Sequence, residues 1–228
     1  MNKFTKFLIY LPQTLVFNFY YFPVKQAFKI PVVFLSRPKF KQFKGKVKIE
    51  CQNINFGMIK LGGEYIGVYS TNGSRFIWEN RGLCCFKGTC VIGHNSAICT
   101  GKNGYIEFGN NFGAGTTLRI VSYKSIVFGE NFRVGWEVII MDTDFHETIN
   151  IEANCRSIAT KEIIFGKNNW IGIRTLVLKG TITPNFCIVG ANSLLNKKYE
   201  IPNYSLFAGN PAKLCKTGIY RDLNSFVD

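Results

Sequence analysis

Histidine is nearly absent from this chain: its 228 residues include two, His94 and His146. A zinc site built on three imidazoles is therefore disfavoured, and histidine-based proton transfer has to use one of these two. Acidic residues are missing from positions 1–49, a stretch that holds ten cations: Lys3, Lys6, Lys25, Lys29, Arg37, Lys39, Lys41, Lys44, Lys46 and Lys48. Of the net charge of +14, only about +4 is left for the remainder. Long apolar runs are missing too. Pro12, Pro23, Pro31 and Pro38 divide the aromatic region around Phe17-Asn18-Phe19-Tyr20-Tyr21-Phe22 into pieces shorter than the roughly 20 residues a bilayer crossing needs. With no small-residue cleavage site after it, this region does not read as an export signal.

What the chain does have is a beat of six. Phe165, Ile171, Val177, Thr183, Val189 and Leu195 follow one another at that spacing. Two positions before each of the last five stands a small or short residue: Asn169, Thr175, Thr181, Cys187 and Ser193. A helix repeats its apolar face every 3.6 residues and a strand every 2, so neither accounts for six. A solenoid with three short strands per turn does. The beat continues upstream with slips of phase, through Phe128-Gly129 and Val134-Gly135, Phe108-Gly109 and Ala114-Gly115, and Ile92-Gly93 with Ile98. Between Ile140 and Phe165 it breaks, and residues 142–160 form a polar excursion of the kind that tends to carry function.

The expected organisation is all-β: a parallel β-helix over 45–216, preceded by a basic, partly helical region 1–44 and followed by a tail 217–228. The leader either caps the open end of the solenoid, lies on an anionic membrane surface, or does both. No nucleic-acid motif accompanies its charge. The eight cysteines lack metal-ligand spacing; Cys84 and Cys85 are adjacent and Cys187 is an inward repeat position, which reads as reduced, packed thiols in a cytosolic protein.

His94 follows a beat glycine, where corner residues fall, so a structural or solvent-facing role is expected. His146 ends Asp142-Thr143-Asp144-Phe145-His146 and is followed by Glu147. In an extended segment Asp142, Asp144 and His146 point to one side. A carboxylate beside an imidazole sets its tautomer and stabilises the imidazolium, as a general base requires; a solvated loop with an ordinary histidine is the plainer alternative. Asp142-x-Asp144 also resembles a metal-binding pair, but no companion ligands are visible and no metal is expected. Trp170 precedes a beat residue and should face outward, against a ligand, a neighbouring subunit or a loop of its own chain.

Three stretches carry a family resemblance: Phe165-Gly166-Lys167-Asn168-Asn169-Trp170-Ile171-Gly172, Ile188-Val189-Gly190-Ala191-Asn192-Ser193, and Gly209-Asn210-Pro211-Ala212-Lys213. Over about residues 85–216 the chain resembles the hexapeptide-repeat acyltransferases, in the branch of galactoside and maltose O-acetyltransferases. Met141 to His146 and the basic leader are most similar to its capsule, exopolysaccharide and lipopolysaccharide members. The resemblance implies a left-handed parallel β-helix and a homotrimer with active sites in the clefts between neighbouring helices. It implies acetyl-CoA as acyl donor and a saccharide hydroxyl as acceptor, free or lipid-linked, in the cytoplasm or at the inner membrane face. His146 matches the catalytic base, with Asp142, Asp144 or Glu147 as candidates to orient it. Trp170 and Gly172 match the coenzyme cleft, Ala191 and Lys197 the pantetheine arm, and Lys213 and Lys216 the phosphates. N-acetylation of an amino-sugar nucleotide and a non-catalytic scaffold are the alternatives. Thr183-Pro184 departs from the usual Ile-Gly, which should alter one corner.

Overall fold

The structure, a computed structural model, describes residues 3–63, 69 and 73–222; residues 1–2 of the leader and 223–228 of the expected tail lie outside them. Helices α1 (Lys3–Ile9), α2 (Leu11–Tyr21) and α3 (Val24–Ala27) come first. Pro12 lies in the first turn of α2 and Pro23 just before α3, where a missing N–H forfeits no helical bond.

Strands then follow in threes. The first coil is β1 (Val32–Phe34), β2 (Arg37–Gln42) and β3 (Lys46–Ile49). The second is β4 (Ile59–Leu61), β5 (Arg75–Asn80) and β6 (Leu83–Phe86), and the third is β7 (Cys90–Ile92), β8 (Ala97–Thr100) and β9 (Tyr105–Phe108). Next come β10 (Phe112–Ala114), β11 (Arg119–Ser122) and β12 (Ser125–Phe128). The fifth coil has β13 (Arg133–Val134) and β14 (Ile139–Met141), an excursion with β15 (Ile149–Asn150) and β16 (Cys155–Arg156), then β17 (Ile163–Phe165). After β18 (Trp170–Ile171), β19 (Leu176–Val177) and β20 (Ile182–Thr183) come β21 (Ile188–Val189) and β22 (Leu194–Leu195). A hairpin of β23 (Ser205–Gly209) and β24 (Ala212–Thr217) ends the stack.

Successive coils pair in parallel to make three faces of nine, seven and six strands. The first face runs from β1 to β24, the second from β2 to β22, the third from β3 to β20. The prism they enclose holds the beat residues. Phe165, Ile171, Val177, Val189 and Leu195 are buried, as is Thr183. Equivalent positions lie directly over one another, so Phe86, Phe108, Phe128 and Phe165 stack at centroid spacings of 4.9, 5.5 and 5.3 Å. Thr183 ends that column, its hydroxyl accepting from Asn169 Nδ2 at 2.7 Å, which is how the Thr183-Pro184 departure is accommodated at one corner. The beat glycines stand where backbones meet: a Cβ at Gly129 would come within 2.6 Å of the Gly166 carbonyl.

The solenoid begins at Val32, ahead of the expected residue 45, because β1 and β2 already pair in parallel with β4 and β5. Arg37, Lys39 and Lys41 are outward positions of β2, alternating with half-buried Pro38, Phe40 and Gln42. β1 is a terminal strand of the first face, and α2 covers it. Thr14 Oγ1 accepts from the Phe34 N–H at 3.2 Å, and Asn18 both accepts from the Val32 N–H at 3.2 Å and donates to the Val32 carbonyl at 2.7 Å. A bare strand edge would invite further pairing, and these side chains occupy it. Phe17 enters the core between Phe34 and Trp78, with centroids 5.3 and 5.1 Å away. The leader therefore caps the solenoid.

Candidate active site

After β14 the chain leaves the prism at the corner between the second and third faces. Thr143 and Thr160 form an antiparallel bridge, and the Asp144 N–H donates to the Ala159 carbonyl at 3.0 Å. Farther out β15 and β16 pair antiparallel, and the Thr148 N–H donates to Ser157 Oγ at 2.8 Å. The excursion 142–160 is thus a two-stranded arm. Phe145, at φ 62°, breaks the extended run and packs edge-on against Tyr123 at 5.2 Å. His146 follows, exposed, and its imidazole forms no hydrogen bond among the described residues.

The expectation that Asp142, Asp144 and His146 share one side is not met. Asp142 is fully buried and turned into the wall. It accepts from Ser122 Oγ at 2.8 Å and from the N–H groups of Tyr123 and Lys124 at 2.7 and 2.9 Å. Asn80, Thr100 and Ser122 are the equivalent buried corner residues of earlier coils, and Thr100 accepts from the N–H groups of Arg81 and Gly82 in the same manner. Asp142 belongs to this ladder, which satisfies backbone donors that turn inward at the corner. Asp144 points out and meets Lys179 Nζ at 2.5 Å; the same ammonium donates to the Ile158 carbonyl, also at 2.5 Å, tying both sides of the arm's root. Glu147 pairs with Arg156 at 3.5 Å. None of the three carboxylates is bonded to the imidazole.

Trp170 stands 39% exposed on the first face, as its position in the repeat predicts. Strand register places Trp170, Ile188, Leu206 and Lys216 in one row across β18, β21, β23 and β24. At about 4.8 Å per strand the row is about 14 Å long. Lys197 and Lys213 line one cavity of about 410 Å³ at the same end of the molecule. Gly172 lies at the corner beyond Trp170, where a Cβ would come within 2.7 Å of the Ala191 N, and Ala191 is exposed beside it. The structure adds Arg221, whose guanidinium lies 5.2 Å from the indole centroid. Its segment is held by Tyr220 against Phe186 and Tyr204, and burial lowers the Arg221 pKa. No local pattern marks Arg221, and only the return of the tail across the first face reveals it.

The row from the exposed indole to Lys216, with Arg221 over the indole and a lysine-lined cavity at the same end, fits an extended ligand bearing phosphates. The arm departs from the corner opposite the first face, so one prism does not bring His146 to the Trp170 row. His94 is buried, its carbonyl accepting from the Thr117 N–H at 3.0 Å, so of its two expected roles the structural one holds. The cysteines are free thiols. Burial pushes Cys85 and Cys187 up to about 11 and raises Cys84 and Cys90 further, which keeps these four protonated and poor nucleophiles.

The architecture is a parallel β-helix with a polar arm and an exposed indole near several cations, and comparison with known proteins gives the family. No family model matches the chain. It is 31% identical over 149 residues, 56% of its own length and 75% of the relative's, to WbbJ of Escherichia coli K12, a protein named for O-acetyl transfer in lipopolysaccharide biosynthesis. It is 25% identical over 134 residues, 58% of this chain and 40% of the other, to the polysialic acid O-acetyltransferase of Escherichia coli O1:K1 / APEC. The crystal structure of the polySia-specific acetyltransferase NeuO superposes with a TM-score of 0.54 at 20% identity, covering 86% of this chain and 82% of that one. The chain belongs to the hexapeptide-repeat acyltransferases, and its fold is the left-handed parallel β-helix. It is an acetyltransferase.

Proposed function

We propose that the enzyme moves acetyl from acetyl-CoA to a sugar hydroxyl of a surface polysaccharide or its lipid-linked precursor, with His146 as general base. The observation that carries this reading is the placement of His146 and the Trp170 row on opposite sides of one prism. Three copies side by side would bring one copy's arm to the next copy's first face, so the cleft belongs to a homotrimer.

The residues suit the donor. Trp170, with Ile188 and Leu206, offers an apolar track for the pantetheine arm, near which Ala191 and Lys197 are assigned, and Lys213, Lys216 and Arg221 offer cations for the phosphates. His146, with no hydrogen bond among the described residues, takes the acceptor hydroxyl proton as the oxygen attacks the thioester carbonyl. The new C–O bond forms, the C–S bond breaks, and the imidazolium returns its proton to the departing thiolate. Both substrates meet in one cleft, so positioning supplies much of the rate. The free thiols accord with a reducing, cytoplasmic location.

The test is thiol release from acetyl-CoA against a panel of oligosaccharides and amino-sugar nucleotides, with His146→Ala in parallel. Turnover on a hydroxyl acceptor, lost in the variant at an unchanged Tm, is the expected result. Turnover on the amino-sugar nucleotides alone would replace O-transfer by N-transfer. Full activity of the variant would remove His146 from the mechanism.

A further inference from the structure

Helix α2 is apolar on its outward face as well as on the inward face that carries Phe17. Its polar residues Thr14 and Asn18 are fully buried against β1, whereas Val16, Phe19 and Tyr20 stand 59%, 44% and 58% exposed. Positions 16, 19 and 20 fall on one face at helical spacing, and Leu8 and Ile9 of α1, half exposed, precede them in the chain. Val24 and Phe28 continue the surface at 63% and 72%, with Phe28 edge-on to Phe19 at 5.3 Å. A contiguous apolar surface of this kind marks an interaction site. Its borders are cationic. Lys25 and Lys29 are exposed beside Val24 and Phe28, and Lys46 and Lys48 line a shallow cavity together with Tyr20. Positions 1–49 contain no acid to offset them.

We propose that this outer face of the cap docks on an anionic lipid bilayer. Aromatic and aliphatic side chains enter the boundary between headgroups and acyl chains, while the lysines meet lipid phosphates. The same charge argues against a second copy as the occupant, since a pairing of like faces would set lysines against lysines. The docking is peripheral, because no helix among the described residues is long and apolar enough to cross a membrane. The surface lies at the solenoid end capped by α2, away from β24 and the lysine cavity, and it leaves the proposed donor row uncovered.

The experiment is co-sedimentation of the full chain with vesicles of phosphatidylcholine alone or mixed with phosphatidylglycerol. Binding to the mixed vesicles, weakened by salt and weaker still on phosphatidylcholine alone, is the expected result. The triple variant Val16→Ser/Phe19→Ser/Phe28→Ser should fold with an unchanged Tm and lose at least about tenfold in affinity, since each removed side chain forfeits its apolar burial. Lys25→Glu/Lys29→Glu should reduce binding to the anionic vesicles alone. Wild-type protein that stays in the supernatant, or a triple variant that binds as wild type does, overturns the proposal. So does a triple variant whose only change, by light scattering, is a smaller assembly, for the face would then be a contact between copies. The His146→Ala enzyme should bind vesicles like wild type, so docking and acetyl transfer can fail separately.

Discussion

Asp142 and His146 lie a few residues apart at the same corner, one in the wall of the solenoid and the other on the arm that leaves it. In the wall, polar side chains are engaged with backbone: Asn80, Thr100 and Ser122 at this corner, and Asn169, Thr175, Thr181 and Ser193 at others. Asp142 follows that rule, with both carboxylate oxygens accepting N–H groups. On the arm, His146 is bonded to nothing among the described residues, while the carboxylates around it are engaged with Lys179 and Arg156. A repeat whose corners must satisfy turned-in backbone leaves little polar chemistry free on its own coils. Chemistry therefore collects where the chain departs from the repeat, and the role of a polar residue depends on which side of that departure it falls.

The largest effect should come from substitution on the arm. His146→Ala is expected to lower kcat by about 10²- to 10⁴-fold, the range of one general base, with no change in Tm. In the wall the order reverses. Asp142→Ala leaves the Tyr123 and Lys124 N–H groups without their acceptor, at a cost of about 3 kcal/mol or more, while the Ser122 hydroxyl keeps the Tyr105 carbonyl. For a chain of this size that lowers Tm by about 6–12 °C in a melting experiment. Asp142→Asn keeps an acceptor oxygen and should fall between wild type and Asp142→Ala. Loss of turnover in Asp142→Asn at an unchanged Tm would break the comparison by making Asp142 part of the chemistry.

Lys179 joins the two regions, and its removal sharpens the contrast. Lys179→Ala removes the side-chain tie between the two sides of the arm's root, leaving only backbone bonds there, so limited proteolysis should cut faster within 143–160 while the coils stay resistant. KM for the acceptor should rise several-fold with Tm nearly unchanged. The mildest test is thiol labelling at neutral pH. Cys155 on the arm and Cys215 on the terminal hairpin are exposed and should react quickly, whereas Cys84, Cys90 and Cys187 in the wall should stay unmodified until the protein unfolds. Rapid labelling of Cys187 would show that the coils open more readily than their packing suggests.

By itself the sequence specified the solenoid, since a period of six admits no other regular structure and the beat residues Phe165 to Leu195 are the ones that fill the core. It also marked the arm, as a polar interruption of an otherwise strict pattern, and it placed Trp170 outward by counting. The start of the solenoid at Val32 was hidden because Pro38 and the lysines of Arg37–Gln42 mask a period of two. Tertiary structure alone decided the roles of Asp142, Arg221 and the faces of α2. Asp142 became a corner residue because the backbone of the preceding coil, about 20 positions earlier, turns its N–H groups toward it. Arg221 reached Trp170 because the tail folds back, and Thr14 and Asn18 turned inward because β1 presents a bare edge. Each of these depends on which groups distant in the chain arrive unsatisfied at the same place, and local periodicity carries no record of that.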